Sequence, residues 1–243
     1  MTLRHDLQVP VADTAIQQAP RVLDALYRAI ESFDASAVRA ALQPDVFVFT
    51  PTADGVLTSA DAVARDVEGW SRAVVRRKAT LQLRATRRTV GASPSGRGAW
   101  VFGDIVAEAL SDRGALCTVP IRVTALLVSD DGWRVAAAYW SVPFPTQDDQ
   151  DAVKHAGDLA PGNALNESVG EGAAELVAAL RRAALAGPDV AWLAANIDIG
   201  SPPTPYRFLY IWVREDDAWQ IVVSHDAVSR NPVTAGPGAS QSV

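Results

Sequence analysis

Two stretches of this chain repeat each other in outline. Ala99-Trp100-Val101-Phe102-Gly103-Asp104-Ile105 returns as Ala191-Trp192-Leu193-Ala194-Ala195-Asn196-Ile197. Arg122-Val123-Thr124-Ala125-Leu126-Leu127-Val128, an acidic turn and Trp133-Arg134-Val135 return as Arg207-Phe208-Leu209-Tyr210-Ile211-Trp212-Val213, an acidic turn and Trp219-Gln220-Ile221. Apolar and β-branched runs of this length, broken by turn residues, read as strands. Their recurrence points to a repeated α+β unit and to an internal pseudo-dimer.

With 243 residues, 49% of them apolar and seven tryptophans, the chain can bury a real core as one large domain or two small ones. A net charge of −6 argues against a nucleic-acid scaffold. The single cysteine, Cys117, rules out an intrachain disulfide and reads as a small buried hydrophobe within a strand. No apolar run reaches membrane-spanning length, and the start, with Arg4, His5 and Asp6, lacks a signal-peptide stretch. The expectation is a soluble, cytoplasmic protein.

Residues 1–19 read as a polar N-terminal arm. From Pro20, which suits a first helical turn, Leu23, Leu26, Ile30 and Phe33 share one helix face. Asp34 caps a short second helix that stops near Pro44, and Val46 to Thr50 forms a strand. Thr58 and Asp61 have capping-box spacing before a third helix striped by Val63, Val67, Trp70 and Val74. Four strands follow: Ala79 to Val90, then about 99–110, 117–129 and 132–142. Helices followed by a meander define an α+β order.

A Pro-, Asp- and Gly-rich stretch at 146–167 reads as a linker. The pattern then resumes: Ser168 and Glu171 repeat the capping box, and Ala173, Val177, Leu180 and Ala184 repeat the helix stripe, stopped by Gly187-Pro188. Matched helices and matched strands are offset by amounts that differ by about one strand and its turn. The partial copy, 168–230, is therefore expected to lack a counterpart of Ala79–Val90 and to consist of one helix and three strands. Too small to bury itself alone, it is expected to pack on the first copy. Residues 231–243 read as a disordered tail.

The order helix-helix-strand-helix-meander, Phe33-Asp34-Ala35 after the first helix, and Leu42-Gln43-Pro44-Asp45-Val46-Phe47-Val48 entering the first strand resemble the nuclear transport factor 2-like superfamily. Trp133-Arg134-Val135-Ala136-Ala137-Ala138-Tyr139-Trp140-Ser141 is similar to the closing strand of SnoaL-like and ketosteroid isomerase-like domains. The resemblance covers 20–145 in full and the C-terminal copy in part. It implies a cone: a curved antiparallel sheet wrapped around helices, with a pocket at the wide end. Its members include isomerases, cyclases, dehydratases, epoxide hydrolases and non-catalytic binding or association modules, so fold does not name function.

Ketosteroid isomerase chemistry needs a carboxylate base and an oxyanion site of a tyrosine and a protonated acid. The resemblance puts the base at Thr50, the tyrosine at Leu26, with Tyr27 roughly 100° round the helix, and the second acid at Val123 or Thr124. None fits, so that mechanism is not expected. Trp100, Phe102, Asp104, Val106 and Glu108 share one strand face. On the concave side, Asp104 would be a general acid/base, with Trp100, Phe102, Glu108, Arg122, Tyr139 and Trp70 binding a ligand. The alternative is an Asp104–Arg122 cross-strand ion pair with Tyr139 in the core or an interface. The copy holds Asn196, Arg207 and His225 where the first has Asp104, Arg122 and Tyr139, which marks the arginine as structural. His225 beside Asp226 reads as a surface or interface residue.

No metal-ligand spacing and no cofactor motif is present in the sequence. The basic run Arg72, Arg76, Arg77, Lys78, Arg84, Arg87 and Arg88 reads as a solvated helix end and strand face, with an anionic ligand or the acidic linker around Asp148–Asp151 as other partners. The expected activity is binding of a small apolar or carbonyl-containing molecule in the cone, by a homodimer or an intrachain pseudo-dimer, without nucleic acid or membrane partners. Two alternatives stand beside it: a cyclase, isomerase or hydratase using Asp104, and an association module using the sheet face.

Overall fold

The computed structural model describes residues 11–51, 55–142, 181–185, 188–199 and 204–228. The expected linker, tail and residues 168–180 of the expected second-copy helix lie outside the described residues.

Helix α1 (Val11–Glu31) begins well before Pro20, so the arm is shorter than the sequence indicated. Pro20 removes one backbone donor inside the helix. The continuous stripe Ala15, Ala19, Leu23, Tyr27 and Ile30 is buried along its whole length and carries the helix through the proline. Helix α2 (Ala35–Ala41) is capped by Asp34, whose carboxylate accepts from the Ser36 and Ala37 amides, each at 3.0 Å. Strands β1 (Leu42–Phe49) and β2 (Val56–Leu57) follow. Helix α3 (Ala60–Arg76) takes Ser59 rather than Thr58 as its cap, the hydroxyl accepting from the Ala62 amide at 3.2 Å.

The meander is β3 (Ala79–Ala92), β4 (Gly98–Ser111), β5 (Gly114–Ser129) and β6 (Trp133–Ser141). With β1 parallel to β6, the strands form a six-stranded sheet in the order β2-β1-β6-β5-β4-β3. Alternation sorts each strand between two apolar layers. Val101, Ile105, Val123 and Trp140 join α1, α2 and α3 in one core. Phe47, Phe49, Leu126 and Tyr139 point the other way.

That second face is covered by a four-stranded antiparallel sheet of three long strands and one short one: β7 (Arg181–Leu185), β8 (Val190–Ile199), β9 (Thr204–Glu215) and β10 (Ala218–Val228), in the order β10-β9-β8-β7. Trp192, Leu209, Ile211 and Val223 pack into the cluster that holds Phe47, Leu126 and Tyr139. The chain is therefore layered as helices, six-stranded sheet and second sheet. No described helix is long and apolar enough to cross a membrane.

One expectation fails here. Ala184 was to close a helical stripe, but Arg181–Leu185 is a strand pairing with β8, Ala184 opposite Trp192 as Gly91 is opposite Trp100. An edge strand offers unpaired backbone groups, and pairing with them overrides a weak helical period. The same finding supplies the supposedly missing counterpart of β3, in shortened form.

The registers of the two sheets agree residue by residue. Trp100 pairs with Leu126, Phe102 with Thr124 and Asp104 with Arg122; Trp192 pairs with Ile211, Ala194 with Leu209 and Asn196 with Arg207. Leu126 pairs with Ala137 and Leu127 with Val135, leaving Ala136 as a bulge. Ile211 pairs with Val223 and Trp212 with Ile221, leaving Val222 as a bulge at the matching place.

Candidate functional site

The residues expected to bind a ligand lie mostly on the face turned away from the helices. Ala99, Val101 and Ile105 of β4 belong to the helix-side core, while Trp100 and Phe102 pack with the second sheet. Asp104 and Glu108 follow Trp100 and Phe102 by alternation. This face is the one turned toward the second sheet; both faces of β4 carry large apolar residues, so the strand pattern does not distinguish them. Trp70 is on the other side of the sheet, packed against the helix-side core from α3.

Asp104 is held between two guanidiniums. Arg122 Nε donates to its Oδ1 at 3.1 Å, and Arg87 Nε lies 3.3 Å from its Oδ2. The three residues sit opposite one another in β3, β4 and β5 and tie those strands together. Both guanidiniums also lie over Phe102, at 5.9 and 5.7 Å from the ring centroid. Both Asp104 oxygens are thereby paired, and strand alternation puts the residue on the face opposite Val101 and Ile105 of the helix-side core.

Tyr139 and His225 meet between the sheets. Both are buried, with rings stacked at 4.1 Å. His225 Nε2 shares a hydrogen bond with Ser141 Oγ at 2.7 Å, and Nδ1 shares one with Thr124 Oγ1 at 2.8 Å. Hydroxyls serve as donor or acceptor, so a neutral imidazole is satisfied at both nitrogens. Burial, helped by the nearby charge of Arg122, pushes its pKa down to about 3. A histidine beside a serine can activate a nucleophile, but here both are buried between sheets, and the ring acts as a structural joint. Arg207 also crosses to the first sheet, donating to the Thr50 carbonyl at 3.2 Å with its guanidinium 5.4 Å from the Phe49 ring.

The helix side contains a different group, which the sequence reading missed. Arg88, Gly103, Val123 and Trp140 form one row across β3, β4, β5 and β6. Tyr27 of α1 packs edge-on against Trp140 at 5.9 Å and lies beside Arg88. Arg88 Nη2 donates to Asp24 Oδ1 at 2.6 Å, which fastens α1 to β3. About two helical turns on from Asp24, Glu31 accepts from the Leu83 amide at 2.6 Å and caps the open edge of β3. Tyr27 is only 5% exposed, and burial pushes its hydroxyl up to about 12. No described residue hydrogen-bonds that hydroxyl.

Two members of this group, Tyr27 and Arg88, left a signal in the sequence. Tyr27 is four residues after Leu23 and three before Ile30, hence on the apolar stripe itself. Arg88 was concealed by a bulge: Leu83 faces the helices, and register slips between Ala85 and Arg87, turning Arg87 out and Arg88 in. Two residues of the basic run, Arg87 and Arg88, are thereby placed in ion pairs on opposite faces.

A family profile for the SnoaL-like domain matches residues 20–145. No functionally curated protein matches the chain. Among solved structures, the chain is similar to an NTF2-like protein of unknown function from Pseudomonas putida KT2440, with 16% identity over 56% of this chain and 92% of that one and a TM-score of 0.47. It is similar to an NTF2-like superfamily protein from Salmonella enterica at 15% identity, covering 55% and 94%, with a TM-score of 0.46. An uncharacterised protein with a cystatin-like fold from Caulobacter vibrioides matches at 14% identity over 59% and 98%, with a TM-score of 0.45. Helices on a six-stranded mixed sheet, in this strand order and over the matched residues, place the chain in the SnoaL-like family of the NTF2-like superfamily.

Proposed function

We propose that the protein binds a small apolar molecule bearing a carbonyl or similar acceptor, on the helix-facing side of the six-stranded sheet. The observation that carries this reading is Tyr27: a side chain only 5% exposed, whose hydroxyl has no described protein acceptor, set among aliphatic side chains, Trp140 and the Asp24–Arg88 pair. Buried polar groups normally find a partner. A ligand acceptor would complete this one, while the apolar walls would hold the rest of the molecule.

Ketosteroid isomerase-type turnover is not part of the reading. Thr50 holds the base position, and Val123 and Thr124 lie where the second acid would be. The alternative that makes Asp104 an acid/base is opposed by its two arginines and by its face. The alternative of an association module is opposed by the second sheet, which occupies the face such a module would offer.

Calorimetric titration with bicyclic aromatic ketones tests the proposal. Tyr27→Phe is expected to weaken binding about tenfold, the worth of one hydrogen bond, and Asp104→Asn to leave it unchanged. Equal affinity in the wild type and Tyr27→Phe would contradict it.

A further inference from the structure

We infer that the second sheet takes, within its own chain, the place that the same face of a second subunit would take, so that the protein is a monomer with an internal two-fold relationship. The inference is independent of the ligand reading. Three observations support it.

First, equivalent patches face each other. Trp100, Leu126 and Ala137 form one cross-strand row, and Trp192, Ile211 and Val223 form the row with matching register and matching bulge. Both rows lie in a single apolar cluster between the sheets. A surface that meets its own equivalent is the mark of an isologous, two-fold interface. A sheet that had merely landed on an apolar face would have no reason to present the same grid positions.

Second, equivalent residues touch where a two-fold axis would run. Tyr139 and His225 occupy matching positions and are stacked at 4.1 Å. Gly98 and Val190 occupy matching positions at the start of β4 and β8, and a Cβ on Gly98 would lie 2.5 Å from Val190 Cγ2. Gly98, Leu126 and Tyr139 advance by one strand and one row at each step, so the two contacts fall on one diagonal of the sheet. The turns agree: Ser95, between β3 and β4, donates from its amide and its hydroxyl to Asp189, between β7 and β8, each at 2.7 Å.

Third, the touching equivalents are complementary rather than identical. Val190 fills the space that Gly98 leaves, and His225 reaches Thr124 and Ser141 while stacking on Tyr139. Two copies of the six-stranded sheet would set glycine against glycine and tyrosine against tyrosine. That arrangement would leave a void at one contact and two buried hydroxyls without the imidazole at the other. The face is fitted to the chain's own copy and selects against a second chain.

A cysteine pair reports the connection directly. The Gly98 Cβ position is 3.2 Å from Val190 Cβ, near the roughly 3.5–4.5 Å that a disulfide spans. In a Cys117→Ser background, Gly98→Cys with Val190→Cys is expected to form a disulfide within one chain, running as a monomer without reductant. The unaltered chain is expected to sediment at 25.8 kDa up to high micromolar concentration. A disulfide joining two chains, or sedimentation of the unaltered chain at twice that mass, would overturn the inference. Should the cysteine variant fail to fold, the sedimentation result decides alone.

Discussion

The imidazole of His225 lies flat on the phenol of Tyr139, with centroids 4.1 Å apart and planes 17° from parallel, and joins the two sheets at matching positions of each. The ring is neutral in the fold because burial, assisted by Arg122, depresses its pKa from 6.5 to about 3. Above pH 6.5 the folded and unfolded states carry the same charge at this residue. As pH falls from about 6.5 toward 3, only the unfolded state takes up the proton, so stability is lost at up to about 1.4 kcal/mol per pH unit. Denaturant melts between pH 7 and 4 are expected to show this slope in the wild type and to lose it in His225→Gln. An unchanged slope in the variant would assign the acid sensitivity elsewhere.

Gly98 and Val190 provide a steric test. A Cβ on Gly98 would meet Val190 at 2.5 Å, and Gly98→Val is expected to cost about 1–3 kcal/mol by overpacking. Val190→Gly alone is expected to cost a similar amount through the cavity it opens. The double exchange Gly98→Val with Val190→Gly is expected to recover most of the loss, because the two positions are equivalent across the sheets. Additive losses in the double variant would argue against that equivalence.

Tyr27 is expected to ionise late, because burial raises its hydroxyl from 10.0 to about 12. Its neutral form stabilises the fold fully below pH 10, and that contribution, on the order of 2–3 kcal/mol, is lost as pH rises through 12. An ultraviolet titration should show a late phenolate step that Tyr27→Phe removes. If the variant keeps the late step, another tyrosine is responsible.

Asp104 links Arg87 and Arg122 at a half-exposed rim. Asp104→Asn is expected to lower stability by no more than about 1 kcal/mol, as for other partly solvated pairs. Thermal melts at low and high salt should differ less in the variant than in the wild type. A loss of several kcal/mol would show that the pair bears more of the sheet contact than its exposure indicates.

Order and spacing made much of the fold legible: the Asp34 cap, the position of α3, the meander and the recurrence of the Trp100 strand as the Trp192 strand all lie where the residues place them. Sidedness was not legible. Period-two alternation groups Trp100, Phe102 and Asp104, but which layer covers them depends on contacts made by β9 and β10, far along the chain. Local irregularities concealed the rest. The bulge at Thr86 reverses the direction of Arg88, and Pro20 inside α1 mimics a helix start. The short strand β7 is decided by the open edge of β8 rather than by its own periodicity. Tyr27 is the instructive miss, since the helical stripe that located Leu23 and Ile30 includes it.

Tyrosine-ring NMR of the full chain titrated with 2-tetralone, with Tyr27 assigned by its absence in Tyr27→Phe, tests ligand binding on the helix-facing side most directly. The Tyr27 signal is expected to shift and saturate while the signal of Tyr139, sealed between the sheets, stays in place. A saturating shift at Tyr139 with Tyr27 unmoved, or no shift at either ring, would contradict ligand binding on the helix-facing side.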